Sequence, residues 1–161
     1  MPNYLTQANT NIQKTDIQTE LILSSKLIIA LILGAIVGYE RERDGKDAGL
    51  RTYASICMGA CIFILIAGHL TTDNSAIARV MTGVITGIGF IGAGIIFKDA
   101  KNKPKGLTTA STIWCTASIG IAVGLNMFII AIVGTILLFF ILELSHYKWY
   151  IKWKQSIKNK E

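Results

Sequence analysis

Gly87-Ile88-Gly89-Phe90-Ile91-Gly92 spells G-x-G-x-x-G, a string with a well-known chemical meaning. In a dinucleotide site such glycines let the backbone approach a pyrophosphate. A strand precedes them, a helix follows, and an acidic residue stands about twenty positions on. Here the string lies inside an apolar run, and Lys105 and Gly106 occupy the region where that acid should fall. Helix packing fits better. Gly83 and Gly87 are four apart, Gly92 and Gly94 extend the line, and Gly34 with Gly38 and Gly120 with Gly124 repeat the spacing. Glycines at this interval let helix backbones come close in lipid. Three such pairs predict a compact bundle or a homo-oligomer.

The charged segment Gly38–Thr52 reads GYERERDGKDAGLRT. Glu40 and Arg41 close one apolar run and Arg51 opens the next. Charge alone favours an ordinary solvated loop obeying the positive-inside rule, and the functional reading sets against it an expected Glu40–Arg51 ion pair at the cytoplasmic interface. Further on, Thr108, Thr112 and Thr116 share one helical face, and Ser111 and Ser118 share another. Hydroxyls can bond the backbone one turn back. Their spread over several faces predicts burial among other helices, with the lining of a polar cavity as the rival. Cys57, Cys61 and Cys115 all lie in apolar runs and read as buried free thiols. The chain has no Cys/His ligand spacing, no nucleophile beside a base and no P-loop. We therefore expect no catalytic residue, no metal site, no cofactor and no enzymatic activity.

What must position these residues follows from composition. Of 161 residues, 52% are hydrophobic and only 16% charged, where soluble domains average roughly 25%. Mean hydropathy is +0.49. A soluble domain of this size cannot hide so much apolar surface, so the lipid bilayer is the expected solvent. Five apolar runs are expected to be transmembrane helices: Leu21–Tyr39, Tyr53–Leu70, Ile77–Phe97, Thr108–Val123 and Met127–Leu144. The fourth has the fewest residues, and Gly124-Leu125-Asn126 must turn tightly between the last two. Within each run the central third holds no Asp, Glu, Lys or Arg, which removes the usual sign of a cation path.

Lysine and arginine set the orientation. Arg41, Arg43, Lys46 and Arg51, then Lys98, Lys101, Lys103 and Lys105, then five tail lysines put thirteen basic residues on one side, against Lys14, Lys26 and Arg79 on the other. The expected fold is therefore an all-α polytopic bundle of five spans, with the N-terminus outside and the C-terminus cytoplasmic. Residues 1–20 form a polar extracytoplasmic leader with no signal-peptide pattern, 21–144 the membrane domain, and 145–161 a basic, aromatic tail. In that tail Trp149, Trp153 and Ile157 recur at helical spacing among lysines, as an interfacial anchor would. The net charge of +6 sits in short gaps between spans, a membrane pattern that offers nothing to nucleic acid.

Three stretches together, Gly38–Thr52, Gly87–Lys98 and Gly106–Gly124, closely resemble the MgtC/SapB family of bacterial inner-membrane proteins. The resemblance covers some 120 residues, from the first span to the fifth. It implies a non-enzymatic multi-pass protein tied to magnesium homeostasis and acid or low-magnesium stress. It also implies action through other membrane proteins, such as ATP synthase or a sensor kinase. The family motif falls here on Glu40, Arg41, Gly49, Arg51 and Thr52, on Gly87, Gly89, Gly92 and Gly94, and on Gly106, Thr109 and Trp114. Gly83, Thr108 and Thr112 complete the candidate functional residues. Two departures bear on the transfer. Many members carry a C-terminal domain resembling the ACT fold, whose role is expected to be missing here or supplied by another chain, and virulence-type members have Asn where Thr108 stands. The leading expectation is a regulator of a partner membrane complex acting through helix packing. The alternative is a small oligomeric magnesium or other cation transporter with the fourth span lining the path.

Overall fold

The computed structural model describes residues 17–100 and 102–146. The leader up to residue 16 and the tail beyond His146 lie outside the described residues. Five α-helices follow one another: α1 (Ile17–Arg43), α2 (Leu50–Leu70), α3 (Asn74–Ile95), α4 (Leu107–Gly124) and α5 (Phe128–Glu143). A two-residue antiparallel pair, β1 (Phe97–Lys98) with β2 (Pro104–Lys105), links α3 to α4. The all-α architecture expected from the apolar runs is the one observed, and α1 to α4 are each long and apolar enough to cross a membrane.

Local chemistry explains the boundaries. Asp73 caps α3, its Oδ1 accepting the Ser75 N–H at 2.9 Å. Gly106 opens α4 with a left-handed φ of +84° and sits hard against the Ile95 carbonyl, where a side chain would collide. α4 ends in a Schellman turn. Met127 N–H reaches back to Ala122 O at 2.8 Å, Asn126 N–H to Val123 O at 3.0 Å, and Asn126 takes φ +65°. This is the tight hairpin expected at Gly124–Asn126.

Two lengths differ from expectation. α4 has 18 residues, because Gly106 lets the helix begin at Leu107 and Gly124 still belongs to it. α5 has 16, because Met127 serves the turn and the chain tightens to a 3₁₀ turn over Leu144–His146. The short helix is thus the fifth, about 24 Å long. α1, at 27 residues, begins four positions before the apolar run and carries Glu40 to Arg43 as helix instead of loop.

α2 is the hub. α1 packs along one side of it and α4 along the other, while α5 closes over α1 and α4. The buried core gathers Val37, Tyr53, Cys57, Cys61, Ile113 and Val123. Cys57 and Cys61 are buried and Cys115 half-buried, all three as free thiols. α3 stands apart: over its 22 residues only Gly92 is buried.

Candidate functional site

The charged segment after the first span folds into a buried ionic cluster where α1 meets α2 and α5. Glu40 is completely buried and Arg41 only 3% exposed. The Arg41 guanidinium grips both Glu40 carboxylate oxygens, Nη2 donating to Oε1 at 2.7 Å, and also donates to Asp44 Oδ2 at 3.0 Å. His146 Nε2 meets Asp44 Oδ1 at 2.9 Å, and its Nδ1 lies 3.3 Å from Glu143. Arg43 pairs with the same Glu143. The cluster therefore ties the end of α1 to the end of α5. Glu42 completes the junction by accepting the Leu50 N–H at 2.9 Å, capping α2 from the neighbouring helix.

The expected Glu40–Arg51 pair is not formed. Arg41, on the same helix, supplies the bidentate partner at shorter reach, and Arg51 is exposed with no ion pair among the described residues. Thr52 is exposed beside it, and Gly49 lies against the Glu42 side chain. Asp44, Glu42, Glu143 and His146 were not singled out by sequence. Asp44 and Glu42 sit in a segment whose many charges look alike, and Glu143 and His146 arrive from a hundred residues away. Glu40, Asp44 and His146 each bring a ligand atom within 4.8 Å of the others. Arg41 donates hydrogen bonds to both carboxylates, so each already has a partner within the cluster.

Just beneath the cluster, Tyr53 is fully buried and its phenol meets Thr112 Oγ1 at 2.5 Å. Thr112 Oγ1 also lies 3.0 Å from Thr109 O. Its single hydroxyl proton goes to that carbonyl, so Tyr53 is the donor to Thr112. Thr116 likewise bonds Thr112 O at 2.8 Å and is fully buried. Thr112 and Thr116 thus lie in the protein interior with their hydroxyls satisfied. Thr108 and Ser111 stay exposed at the helix start, and Trp114 is half-exposed over a groove against α5. An asymmetry follows for mutants. Thr112→Val strands the buried Tyr53 hydroxyl and should cost about 1–3 kcal/mol, whereas Tyr53→Phe leaves Thr112 bonded to Thr109 and should cost about 1 kcal/mol. Thermal unfolding of both variants in one detergent checks the order.

The glycines divide sharply. A Cβ built on Gly34 would lie 2.6 Å from Tyr53 O and 2.7 Å from Cys57 Cβ, and one on Gly38 would lie 2.6 Å from Leu50 Cα. Gly120 abuts the Cys57 backbone and Gly124 the Ile64 side chain. These are backbone-to-backbone seams of α1 and α4 on α2. Gly83, Gly87, Gly89 and Gly94 on α3 are exposed and have nothing within 4 Å. Gly92 alone touches a neighbour, Ala110 of α4, at an ordinary distance. The compact-bundle expectation therefore holds for the seams on α1 and α4 and fails for the α3 glycines, because α3 meets α2 and α4 through the side chains of Met81, Val84 and Ile88 and turns its glycines elsewhere. Between α2 and α3 an apolar groove of about 690 Å³ remains, lined by Gly59, Phe63, Gly83, Gly87 and Ile91 among others.

The MgtC family model matches residues 27–148. "Protein SrpB" of Synechococcus elongatus is 37% identical over 138 residues, covering 78% of this chain and 75% of its own length. "Protein MgtC" of Salmonella typhimurium is 42% identical over 112 residues, 70% of this chain and 47% of its own. A protein of Escherichia coli named "Putative magnesium transporter YhiD" is 39% identical over 135 residues, 77% of this chain and 62% of its own. The chain thus spans about half of MgtC and under two thirds of YhiD. No solved structure matches it.

Proposed function

We propose that this chain, which belongs to the MgtC family, serves magnesium homeostasis in a bacterial inner membrane by docking another membrane protein on its third helix. It is a multi-pass membrane protein. In our reading the N-terminus faces outward and the C-terminus the cytoplasm, as the thirteen basic residues on one side favour. The name of its Escherichia coli relative YhiD brings in magnesium, and in our reading the chain acts without catalysis.

One contrast supports docking. The glycines of α1 and α4 lie where another helix backbone presses on them, whereas four glycines of α3 meet nothing. A glycine in a helix interior costs about 1 kcal/mol relative to alanine. On α1 and α4 that cost is recovered by close approach. On α3 it is recovered when a helix from outside the chain, a partner's or a second copy's, lies along Gly83 and Gly87 in the groove beside α2. The transport alternative loses weight because Thr112 and Thr116 are committed to Tyr53 and to backbone carbonyls.

The test is Gly87→Leu in cells grown at limiting magnesium. Open space at this position lets the variant fold as the wild type does, so its helical content and thermal midpoint should stay within error. Cross-linking from α3 to its partner should fall at least about tenfold, and growth should be lost with it. Full cross-linking and growth in Gly87→Leu would overturn the docking reading. Magnesium flux from proteoliposomes holding only this chain would favour the transporter instead.

A further inference from the structure

The link between α3 and α4 is more ordered than a connecting loop needs to be, and its charge is lopsided. Residues 97–105 carry four lysines against one aspartate. That aspartate is used inside the turn: Asp99 Oδ1 accepts the Lys103 N–H at 2.9 Å, and Asp99 N–H bonds Lys103 O at 2.9 Å. Its Oδ2 stands 4.0 Å from Lys105 Nζ, the edge of ion-pair range. Lys98, Lys103 and Lys105 are all exposed.

The strand register arranges these charges. Phe97 pairs with Lys105 and Lys98 with Pro104. Directly paired residues on antiparallel strands project to the same face. Each face of the hairpin therefore offers one apolar ring and one ammonium, Phe97 with Lys105 on one side and Pro104 with Lys98 on the other. The pair is also fixed in height. It joins the ends of two membrane-length helices, and Gly106 clamps the start of α4 onto the Ile95 carbonyl at the end of α3. The hairpin must sit in the headgroup layer, where ring and methylene stem meet acyl chains and the ammonium reaches the phosphates.

We infer that the Phe97–Lys105 hairpin is a docking site for anionic phospholipid, with Lys98, Lys103 and Lys105 gathering the headgroup phosphates. Charge complementarity selects this occupant: three exposed ammonium groups held by a turn that consumes the local carboxylate. The inference rests on the spans α3 and α4 and is independent of any partner on the glycine face.

The test compares spin-labelled phosphatidylglycerol with spin-labelled phosphatidylcholine around the full chain in nanodiscs, reading the motionally restricted fraction of each. A lysine near an anionic surface is worth roughly fivefold in association at low salt. The variant K98Q/K103Q/K105Q should therefore lower the preference for phosphatidylglycerol by about tenfold or more, and high salt should do the same to the wild type. The variant K98R/K103R/K105R should keep the preference, which shows that charge is responsible. An unchanged preference in the glutamine variant, or its loss in the arginine variant, would overturn the proposal. Helical circular dichroism equal to wild type accompanies each measurement, since these side chains are exposed and bear on no helix core.

Discussion

Arg41→Ala should destabilise the bundle by about 3–5 kcal/mol, read as a fall in unfolding free energy in one detergent or nanodisc. The substitution leaves the Glu40 carboxylate completely buried, without its two-point partner, in a place that excludes water. Asp44 loses one contact but keeps His146 at 2.9 Å, so the damage concentrates on Glu40. An ionised carboxylate with no counter-charge in the interior is among the costliest groups a protein can hold. Removing both charges together behaves differently. In Glu40→Gln/Arg41→Met neither ion is stranded, and most of the stability should return, because a buried pair offers little net gain over groups of similar volume. A loss below about 1 kcal/mol in Arg41→Ala would mean that water reaches Glu40.

The same cluster carries a second consequence. Arg43 pairs with Glu143, and His146 contacts both Glu143 and Asp44, so the ends of α1 and α5 are tied by groups more exposed than the Glu40–Arg41 pair. Surface pairs of this kind are each worth under about 1 kcal/mol and are screened by salt. The buried pair keeps its strength in salt. The ionic junction therefore has a stable floor and a salt-sensitive roof.

How far the sequence reaches is clearest in this junction. Glu40 and Arg41 stand out because charge beside an apolar run is rare and easily seen. Which partner each takes does not follow from spacing, since Arg41, Arg43, Lys46 and Arg51 all lie within chain reach of Glu40. Only the turn of α1 chooses, and by continuing to Arg43 it swings Arg41 inward and leaves Arg51 outside. Helix number and order were legible because apolar runs of 16 to 21 residues are hard to mistake. Helix ends were less so, for they hang on single turns at Gly106 and Asn126. The glycine motif was least legible of all. GxxxG reads identically at Gly83–Gly87 and at Gly120–Gly124, yet one pair is exposed and the other is jammed against α2.

That last contrast yields a pair of mutants with opposite signs. Gly120→Ala places a methyl into the Cys57 backbone, with Cys57 C at 2.9 Å and Ala60 Cβ at 3.1 Å. No rotamer can move a backbone carbonyl aside, so α4 must shift off α2. The opposite side of the same α2 turn is already gripped by Gly34, which presses on Tyr53 O and Cys57 Cβ, so α2 has no room to yield toward α1. Overpacking of this kind costs about 1–3 kcal/mol, and occasionally more where backbone is the obstacle. The helix-propensity gain of about 1 kcal/mol recovers only part. Gly120→Ala should therefore lose about 2 kcal/mol, and Gly120→Leu should fail to fold. Gly87→Ala meets open space and keeps its propensity gain, so the isolated chain should be stabilised by up to about 1 kcal/mol. Unfolding of both alanine variants under one condition decides the matter. Equal losses would mean that α3 is packed as tightly as α4, whereas opposite signs would mean that α3 glycines are kept for contacts the single chain does not make.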